Sequence, residues 1–396
     1  MNRVAPLQRA TLAIAFAIGA LPCGARAAAQ ADSASAPQTA AQTANSSAAA
    51  AIDAARKQVA SGDLPGATRG LRAYVDAHPR DLDAARYLGD LYYRQSDFAS
   101  AEQTYRAVLA IAPGDRVTHD RLGGIYAAQD RINDAIAEFT KSLPETSAYG
   151  HLVELHKRIG DFPSFLGQYK TSADAAPWDA AAQYAIGTIL VADRKSEEAI
   201  VYLKKSLDSE PRSCATMSEL GSAYLDLNET SAASDILRHC LGINRDDYPA
   251  LVNLAAVDIE TRQYDEAGTL LAHANRLTPD GPEALIDLGY LQDVYQHKDA
   301  AVRYYLSAIA VDPLARDAYV DLGYDYQVEH LYALAEAAFL KGLSVVPDDG
   351  RLHYLLGVTY ADQGKHDLAR QEYQRATKSD EPEVASAAER DLKALQ

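Results

Sequence analysis

The sequence predicts an all-α fold, a solenoid in which helical hairpins stack side by side along the chain. Small residues recur with a period of 34, and such a period is typical of repeat proteins whose units bury their apolar faces against their neighbours. Two series show the period: Gly187, Gly221, Ala255, Gly289, Gly323 and Gly357, and Ala199, Ala233, Ala267, Ala301, Ala335 and Ala369. The same pair of small residues occurs nearer the N-terminus, at Gly89 with Ala101 and at Gly123 with Ala135.

One hairpin can be followed between residues 282 and 313. Residues at spacings of three and four predict two amphipathic helices. These residues are Leu285, Leu288, Gly289 and Gln292 in the first helix, and Ala301, Tyr305, Ala308 and Ile309 in the second. A polar stretch from Gln296 to Asp299 separates them. Pro313 lacks an amide hydrogen and restricts the residue before it, which predicts the end of the second helix. The small side chains predict a close approach of the two helices.

At these positions the chain resembles the tetratricopeptide repeat family. The pattern of that family has a small residue at position 8, an aromatic residue at 11, alanine at 20, an aromatic residue at 24 and proline at 32. The best matches are Gly89, Tyr92, Ala101, Tyr105 and Pro113; Gly323, Tyr326, Ala335, Phe339 and Pro347; and Gly357, Tyr360, Ala369 and Tyr373. A tryptophan that the family has at position 4 is absent throughout. The resemblance implies a right-handed superhelical solenoid of helix-turn-helix units.

We expect about ten such units between residues 48 and 381, followed by a capping helix over residues 382–396. The unit near 144–178 is irregular, because Val153 and Phe165 stand where small residues belong. The period also slips there, since the step from Gly123 to Gly187 falls short of two full periods.

Residues 1–27 have the pattern of a secretory signal peptide. Arg3 and Arg9 precede an apolar run from Leu12 to Leu21, and Ala25-Arg26-Ala27 fits a signal peptidase site. The run is shorter than the ~20 residues that span a bilayer. We therefore expect an exported bacterial protein, located in the periplasm or secreted.

Two alternatives to cleavage remain open, an uncleaved anchor and a lipoprotein modified at Cys23. The lipoprotein is disfavoured because Pro22 stands where a small residue is wanted. Residues 28–47 consist almost wholly of Ala, Gln, Ser and Thr, and such a composition predicts a disordered tether.

The charge balance excludes one large class of partner. The chain has 38 basic and 55 acidic residues, and the predicted signal takes three arginines with it. Nucleic acid demands concentrated Lys and Arg, so neither nucleic acid nor an anionic membrane surface is an expected partner. No apolar run after residue 27 approaches the ~20 residues that span a bilayer, so we expect no transmembrane segment in the mature chain.

The two cysteines of the mature chain, Cys214 and Cys240, fall at positions 1 and 27 of one unit. In an antiparallel hairpin where position 8 meets position 20, positions that face each other add up to 28. A disulfide bond between the two cysteines is therefore possible in an oxidising compartment. Two buried thiols that never meet are the alternative.

The sequence contains no pattern that is typical of a catalytic or cofactor site. His151, Glu154 and His156 lack the spacing of a zinc hydrolase, and the stretch from Gly357 to Lys365 lacks that of a phosphate-binding loop. No G-x-S-x-G sequence occurs. We therefore expect a protein that is not an enzyme and that binds no cofactor or metal.

The resemblance implies that the first helix of each unit lines a concave groove through positions 2, 5, 9, 12 and 13. In the last three units these positions include an apolar and aromatic set: Ile286, Tyr290, Val320, Tyr324, Tyr354 and Val358. Toward the N-terminus they include a charged set: Arg86, Asp90 and Arg94. The alternative is that the tyrosine rings merely pack between adjacent first helices.

The leading hypothesis is a non-catalytic periplasmic or secreted scaffold that holds a protein or an extended peptide in its groove, in envelope assembly or export. A second hypothesis is an accessory protein of polysaccharide export whose aromatic groove contacts glycan. A third is an unrecognised enzyme, with its site in the irregular unit.

Overall fold

The computed structural model describes residues 40–60, 63–144, 146–279, 281–312, 315–379 and 381–395. Throughout these ranges every regular element is an α-helix. The prediction of an all-α fold of helical hairpins is confirmed. The described residues fall into two compact units, which we call the N-terminal unit, up to Leu227, and the C-terminal unit, from Asn228 onward.

The N-terminal unit contains five successive hairpins and one further helix. Its helices are α1 (Ala40–Ala60), α2 (Leu64–Ala77), α3 (Leu82–Arg94), α4 (Phe98–Ile111), α5 (Arg116–Ala128), α6 (Ile132–Ser142), α7 (Thr146–Ile159), α8 (Phe162–Ala175), α9 (Ala180–Ala192), α10 (Ser196–Ser209) and α11 (Cys214–Asp226).

The C-terminal unit begins with a single helix and continues with four hairpins and a last helix. Its helices are α12 (Thr230–Ile243), α13 (Tyr248–Glu260), α14 (Tyr264–Leu277), α15 (Pro282–Val294), α16 (Lys298–Val311), α17 (Arg316–Val328), α18 (Tyr332–Val345), α19 (Gly350–Asp362), α20 (His366–Ala376) and α21 (Pro382–Ala394).

The signal peptide predicted for residues 1–27 lies outside the described residues. So does most of the predicted tether, but α1 begins at Ala40, and the prediction of disorder is wrong for residues 40–47. Alanine has the highest intrinsic helix propensity, and α1 is rich in it. Among the described helices, none combines the length and the apolar character that crossing a bilayer requires.

The helix bounds reproduce the period of the sequence. The helices α13, α15, α17 and α19 start at a constant interval, at Tyr248, Pro282, Arg316 and Gly350. Each is 13 residues long, and the second helices α14, α16 and α18 have 14 residues each. The interval between the starts of α5 and α7 is shorter, because α6 has only 11 residues and the link after it is also shorter.

Aspartates start many of the first helices. Asp81, Asp115, Asp247 and Asp349 precede α3, α5, α13 and α19, and each carboxylate accepts a hydrogen bond from the third backbone N–H of its helix. Such a cap satisfies a donor that the helix itself leaves without a partner. The period therefore fixes where helices begin as well as which faces they bury.

The short link between the two helices of a hairpin contains one residue in the left-handed region, with φ between 57° and 79°. The series is Ser96, Asp130, Gly160, Arg194, Asn228, Arg262, Gln296, His330 and Gly364. Only two of these residues are glycines, so the turn conformation is imposed by the two helices rather than by the residue that adopts it.

In six of the described hairpins, a glycine at position 8 lies directly against the large side chain at position 24. A Cβ atom on Gly289 would come within 2.6 Å of the Tyr305 ring, and one on Gly357 within 2.7 Å of the Tyr373 ring. Tyr305 is fully buried. The same contact joins Gly89 with Tyr105, Gly123 with Phe139, Gly187 with Leu203 and Gly323 with Phe339. Because glycine has no side chain, position 8 leaves room for the ring or leucine at position 24. The sequence analysis expected the small residues to allow a close approach of the two helices, but it did not predict this contact.

Two buried histidines join consecutive repeats at position 4, where the family pattern has tryptophan. His353 places Nδ1 2.6 Å from Glu372 and Nε2 2.9 Å from the Pro347 carbonyl oxygen. His119 makes the same contacts with Glu138 and the Pro113 carbonyl, at 2.6 and 3.0 Å.

Through these contacts His119 ties α5 to α6 and to the link before α5. Burial raises the pKa of Glu138, but hydrogen bonds from Lys141 and His119 outweigh burial and the pKa is lowered.

We expect Gly289→Ala to lower the free energy of unfolding by about 1–3 kcal/mol, because the added methyl group overlaps the buried Tyr305 ring. The matched control is Gly268→Ala in α14, where the nearest atom to the new Cβ lies at 3.7 Å. There the loss of glycine flexibility should stabilise the helix by about 0.5–1 kcal/mol. Denaturant titrations followed by circular dichroism at 222 nm measure both. Equal stability of the two variants would contradict the role given to the ring contact.

Candidate functional site

Many first helices of consecutive hairpins contact each other within their unit. In the C-terminal unit α13 contacts α15, α15 contacts α17 and α17 contacts α19. In the N-terminal unit α3 contacts both α1 and α5, and α9 contacts both α7 and α11. The outward sides of α13, α15, α17 and α19 form a surface that we call the C-terminal first-helix face. It holds the groove positions of the last four hairpins.

Apolar side chains are accessible on this face. Tyr324 and Val328 of α17 are 41% and 47% exposed and lie four residues apart, on one side of the helix. Ile286 and Tyr290 of α15 and Val358 of α19 are half-buried. Partial burial fixes these side chains in place and leaves part of their surface for a ligand.

Two of the residues predicted to line the groove are buried. Val320 is 8% exposed and Tyr354 is 5% exposed, so the prediction that they contact a ligand is wrong for this structure. Tyr354 donates a hydrogen bond to Asp391 of α21 at 2.9 Å, and it packs in the same core as Val384 of that helix. The capping helix therefore covers the groove position that Tyr354 would have occupied.

The charged set near the N-terminus is engaged within the protein. Arg86 forms an ion pair with Asp115 at 3.2 Å, and Asp90 accepts a hydrogen bond from the buried Tyr105 hydroxyl at 2.6 Å. The Arg94 guanidinium lies 5.6 Å from the centre of the Tyr87 ring. Arg86 and Asp90 thus hold α3 to its neighbours, whereas Arg94 contacts a ring of its own helix. The binding role expected for the three residues has no support in this geometry.

An excess of acidic residues on the helices of the C-terminal first-helix face was not predicted. Three of these helices carry eight acids and a single base: Asp258 and Glu260; Glu283, Asp287 and Asp293; and Asp317, Asp321 and Asp325 with Arg316. Four of the acids are buried: Asp258, Glu283, Asp287 and Asp325. The helices α3, α5, α7 and α9 of the N-terminal unit have as many basic residues as acidic ones or more. The sequence could have indicated part of this excess, because the pattern D-L-G-Y-x-x-x-V, which begins with an aspartate, occurs twice, at 287–294 and 321–328.

One lysine links two of these acids. The Lys298 ammonium lies 2.9 Å from Asp325 and 3.1 Å from Asp293, which also accepts a hydrogen bond from the Tyr305 hydroxyl. Burial raises the pKa of Asp325 to about 6, although Lys298 acts in the opposite direction. The lysine therefore joins α16 to α15 and α17, and this network supports the face from behind.

A second pair of acids lies in α11 of the N-terminal unit. Burial, and then the charge of Asp226, raise the pKa of Glu219 to about 8. Burial raises the pKa of Asp226 to about 6, although the Ser196 hydroxyl, which donates a hydrogen bond of 2.7 Å, and Arg194 oppose this. The sequence did not reveal this pair, because the raised pKa values of the two carboxyls result from burial in the folded structure. Residue spacing gives no indication of that burial.

Cys214 is half-buried and Cys240 is buried, and their sulfur atoms lie within 4.8 Å of each other. The disulfide bond between them stays a prediction.

Comparison with known proteins agrees with this architecture. Sequence models described as tetratricopeptide repeats match residues 52–116 and 320–384, and a second such model matches residues 180–213 and 216–247. No curated protein matches the chain by sequence.

Several solved structures are similar. A chain from the crystal structure of the APC/C hetero-tetramer Cut9–Hcn1 aligns with a TM-score of 0.51 at 15% identity, over 89% of this chain and 85% of its own length. Yeast Tom70 gives a TM-score of 0.47 at 12% identity, over 89% of this chain and 96% of its own. A tetratricopeptide repeat protein from Parabacteroides merdae gives 0.48 at 20% identity, over 62% and 98%. The first of these similarities supports the fold.

The stacked hairpins, with first helices in contact within each unit, define an all-α repeat solenoid of the interaction-scaffold class. The chain belongs to the tetratricopeptide repeat family. Proteins of this family bind other proteins or peptides.

We expect Glu219→Gln to remove a pH dependence of stability that the wild type shows above pH 5. A carboxyl whose pKa is higher in the folded state contributes stability below its unfolded pKa, and this stability is lost as the pH rises through the folded value of about 8. The wild type should therefore lose stability relative to Glu219→Gln, by a few kcal/mol, between pH 5 and pH 9. Thermal unfolding at several pH values measures this. Asp208→Asn, at an exposed carboxylate of α10, is the control and should run parallel to the wild type.

Proposed function

We propose that this protein is a non-catalytic periplasmic or secreted scaffold that holds a partner protein or an extended peptide on its C-terminal first-helix face, in envelope assembly or export. The family supports a scaffold for protein interactions, and the predicted signal peptide supports export. The carboxyls with raised pKa are accounted for by burial, so they do not by themselves indicate a catalytic site.

The observation that carries the proposal is the exposure of Tyr324 and Val328 on α17. Tyrosine offers a rigid apolar surface with a hydroxyl group, which recurs at the centres of protein interfaces. The half-buried Tyr290 and Val294 occupy the equivalent positions on α15 and extend the apolar surface along the face. A partner would thus contact a stripe of side chains rather than a single pocket.

Site-specific photo-crosslinking in the envelope of the source organism tests the binding face. A photo-reactive amino acid replacing Tyr324 should give a discrete crosslinked protein band, because it faces the partner. The same amino acid replacing Leu306, an equally exposed residue on the second helix α16, should give none. Tyr324→Ala combined with Tyr290→Ala should abolish co-purification of the crosslinked protein. Crosslinking from Leu306 alone would contradict the proposed face, and capture of polysaccharide without protein would favour the glycan-export hypothesis.

Export is tested by determining the N-terminus of the protein purified from its natural host. We expect the mature chain to begin at residue 28, because Ala25-Arg26-Ala27 provides the small residues that signal peptidase requires. The protein should appear in the periplasmic or extracellular fraction. A retained N-terminus or a lipid on Cys23 would establish one of the two anchored alternatives.

A further inference from the structure

The C-terminal unit begins with a tripeptide that is typical of a carbohydrate attachment site. Asn228, Glu229 and Thr230 form the sequence N-x-T, in which the middle residue is not proline. In exported proteins this tripeptide is the acceptor of a sugar chain on the asparagine, provided that it lies in a link at the protein surface. The structural setting of the tripeptide therefore decides whether it can serve as an acceptor.

The structure places Asn228 at the surface, in the short link that precedes α12. Asn228 and Glu229 are exposed, and Thr230, the first residue of α12, is half-buried. The backbone of Asn228 has a φ of 58°, in the left-handed region that asparagine adopts more readily than most residues. A bulky polar group attached to the Asn228 amide would extend into solvent and would displace no buried side chain.

Other residues at the equivalent place in their links are held by neighbouring groups. Asp130 accepts a hydrogen bond of 2.8 Å from Arg158, and the Gln296 side-chain amide donates one of 3.2 Å to the Asp293 carbonyl oxygen. Within the described residues, the side-chain amide of Asn228 has no such partner. Its nitrogen is therefore available to an enzyme that approaches from solvent.

A second tripeptide of this kind has a different setting. Asn45, Ser46 and Ser47 also fit the pattern, but they lie within α1. The backbone of a helix is committed to hydrogen bonds between successive turns, so this stretch is not a surface link. The chain thus presents the same pattern once in a link and once in a helix, which provides an internal control.

We propose that Asn228 is the attachment site of an N-linked glycan in the exported protein. This inference rests on export, which is part of the proposed function. The donor is an oligosaccharide joined to a lipid pyrophosphate, and a membrane-bound transferase catalyses the reaction. The Asn228 amide nitrogen forms a bond to C1 of the first sugar and loses a proton to a base of the transferase. The bond between C1 and the phosphate oxygen breaks, and the lipid pyrophosphate leaves with the electron pair.

Mass spectrometry of the protein purified from the envelope of its natural host tests the inference. Trypsin cuts after Arg212 and Arg238, so residues 213–238 form one peptide that contains Asn228. We expect this peptide to carry an added mass that equals a whole number of sugar residues, with fragment ions that place it on Asn228. The peptide that contains Asn45 should carry no such mass.

Variants expressed in the same host test the role of the tripeptide. Asn228→Asp removes the amide nitrogen with little change in shape, and Thr230→Ala removes the hydroxyl group of the pattern, so each should abolish the added mass. Thr230→Ser, which keeps a hydroxyl group, is the matched control and should remain modified. Circular dichroism at 222 nm checks that the three variants are folded.

An unmodified peptide 213–238 from the natural host would overturn the inference. The N-terminus of the same sample shows whether export fails as well: a chain that begins at residue 28 and carries no glycan leaves the scaffold standing and removes only the attachment site. An added mass that persists in Thr230→Ala would also overturn the inference, because the group would then be attached independently of the tripeptide. A glycan on Asn45 instead of Asn228 would contradict the role given to the link.

Discussion

In six of the described hairpins a large side chain at position 24 rests on a glycine backbone at position 8. Tyr305 on Gly289 and Tyr373 on Gly357 are examples, and this contact sets how closely the two helices approach there. Because the ring occupies the place of the missing Cβ, the two helices have one preferred separation and one preferred rotation. That rotation leaves positions 9 and 13 of the first helix facing outward in α17, as Tyr324 and Val328 show. The face available to a partner is therefore a consequence of packing inside the hairpin.

The chain uses charge differently at its two ends. Near the N-terminus, acids and arginines on the first helices bind each other or a buried tyrosine, as with Asp90 and Tyr105. In the C-terminal unit acids outnumber bases on α13, α15 and α17, and several of these acids are buried and bound from neighbouring helices. Lys298 contacts Asp293 and Asp325, and Tyr248 donates a hydrogen bond to Glu283.

The fold could be predicted from the sequence because the determinants are local and repeat. The small residues at positions 8 and 20, and the prolines that follow second helices, are enough to place most hairpins. Tyr354 shows the limit of this reasoning: its position in the repeat equals that of Ile286, but a helix beyond the last repeat buries it. The raised pKa of Glu219 could not be predicted either, because it depends on how deeply the folded structure buries this side chain. Residues 40–47 were predicted to be part of a disordered tether, but they belong to α1. A stretch rich in alanine and small polar residues is compatible with either a tether or a helix.

The links between paired helices hold seven non-glycine residues at positive φ, among them Arg262, Gln296 and His330. A left-handed conformation costs such residues roughly 1 kcal/mol each relative to glycine. The sequence therefore retains a series of small strains in the links, outside the buried interiors of the hairpins. Replacing these residues by glycine one at a time offers a graded way to raise thermal tolerance without altering the packing between the paired helices.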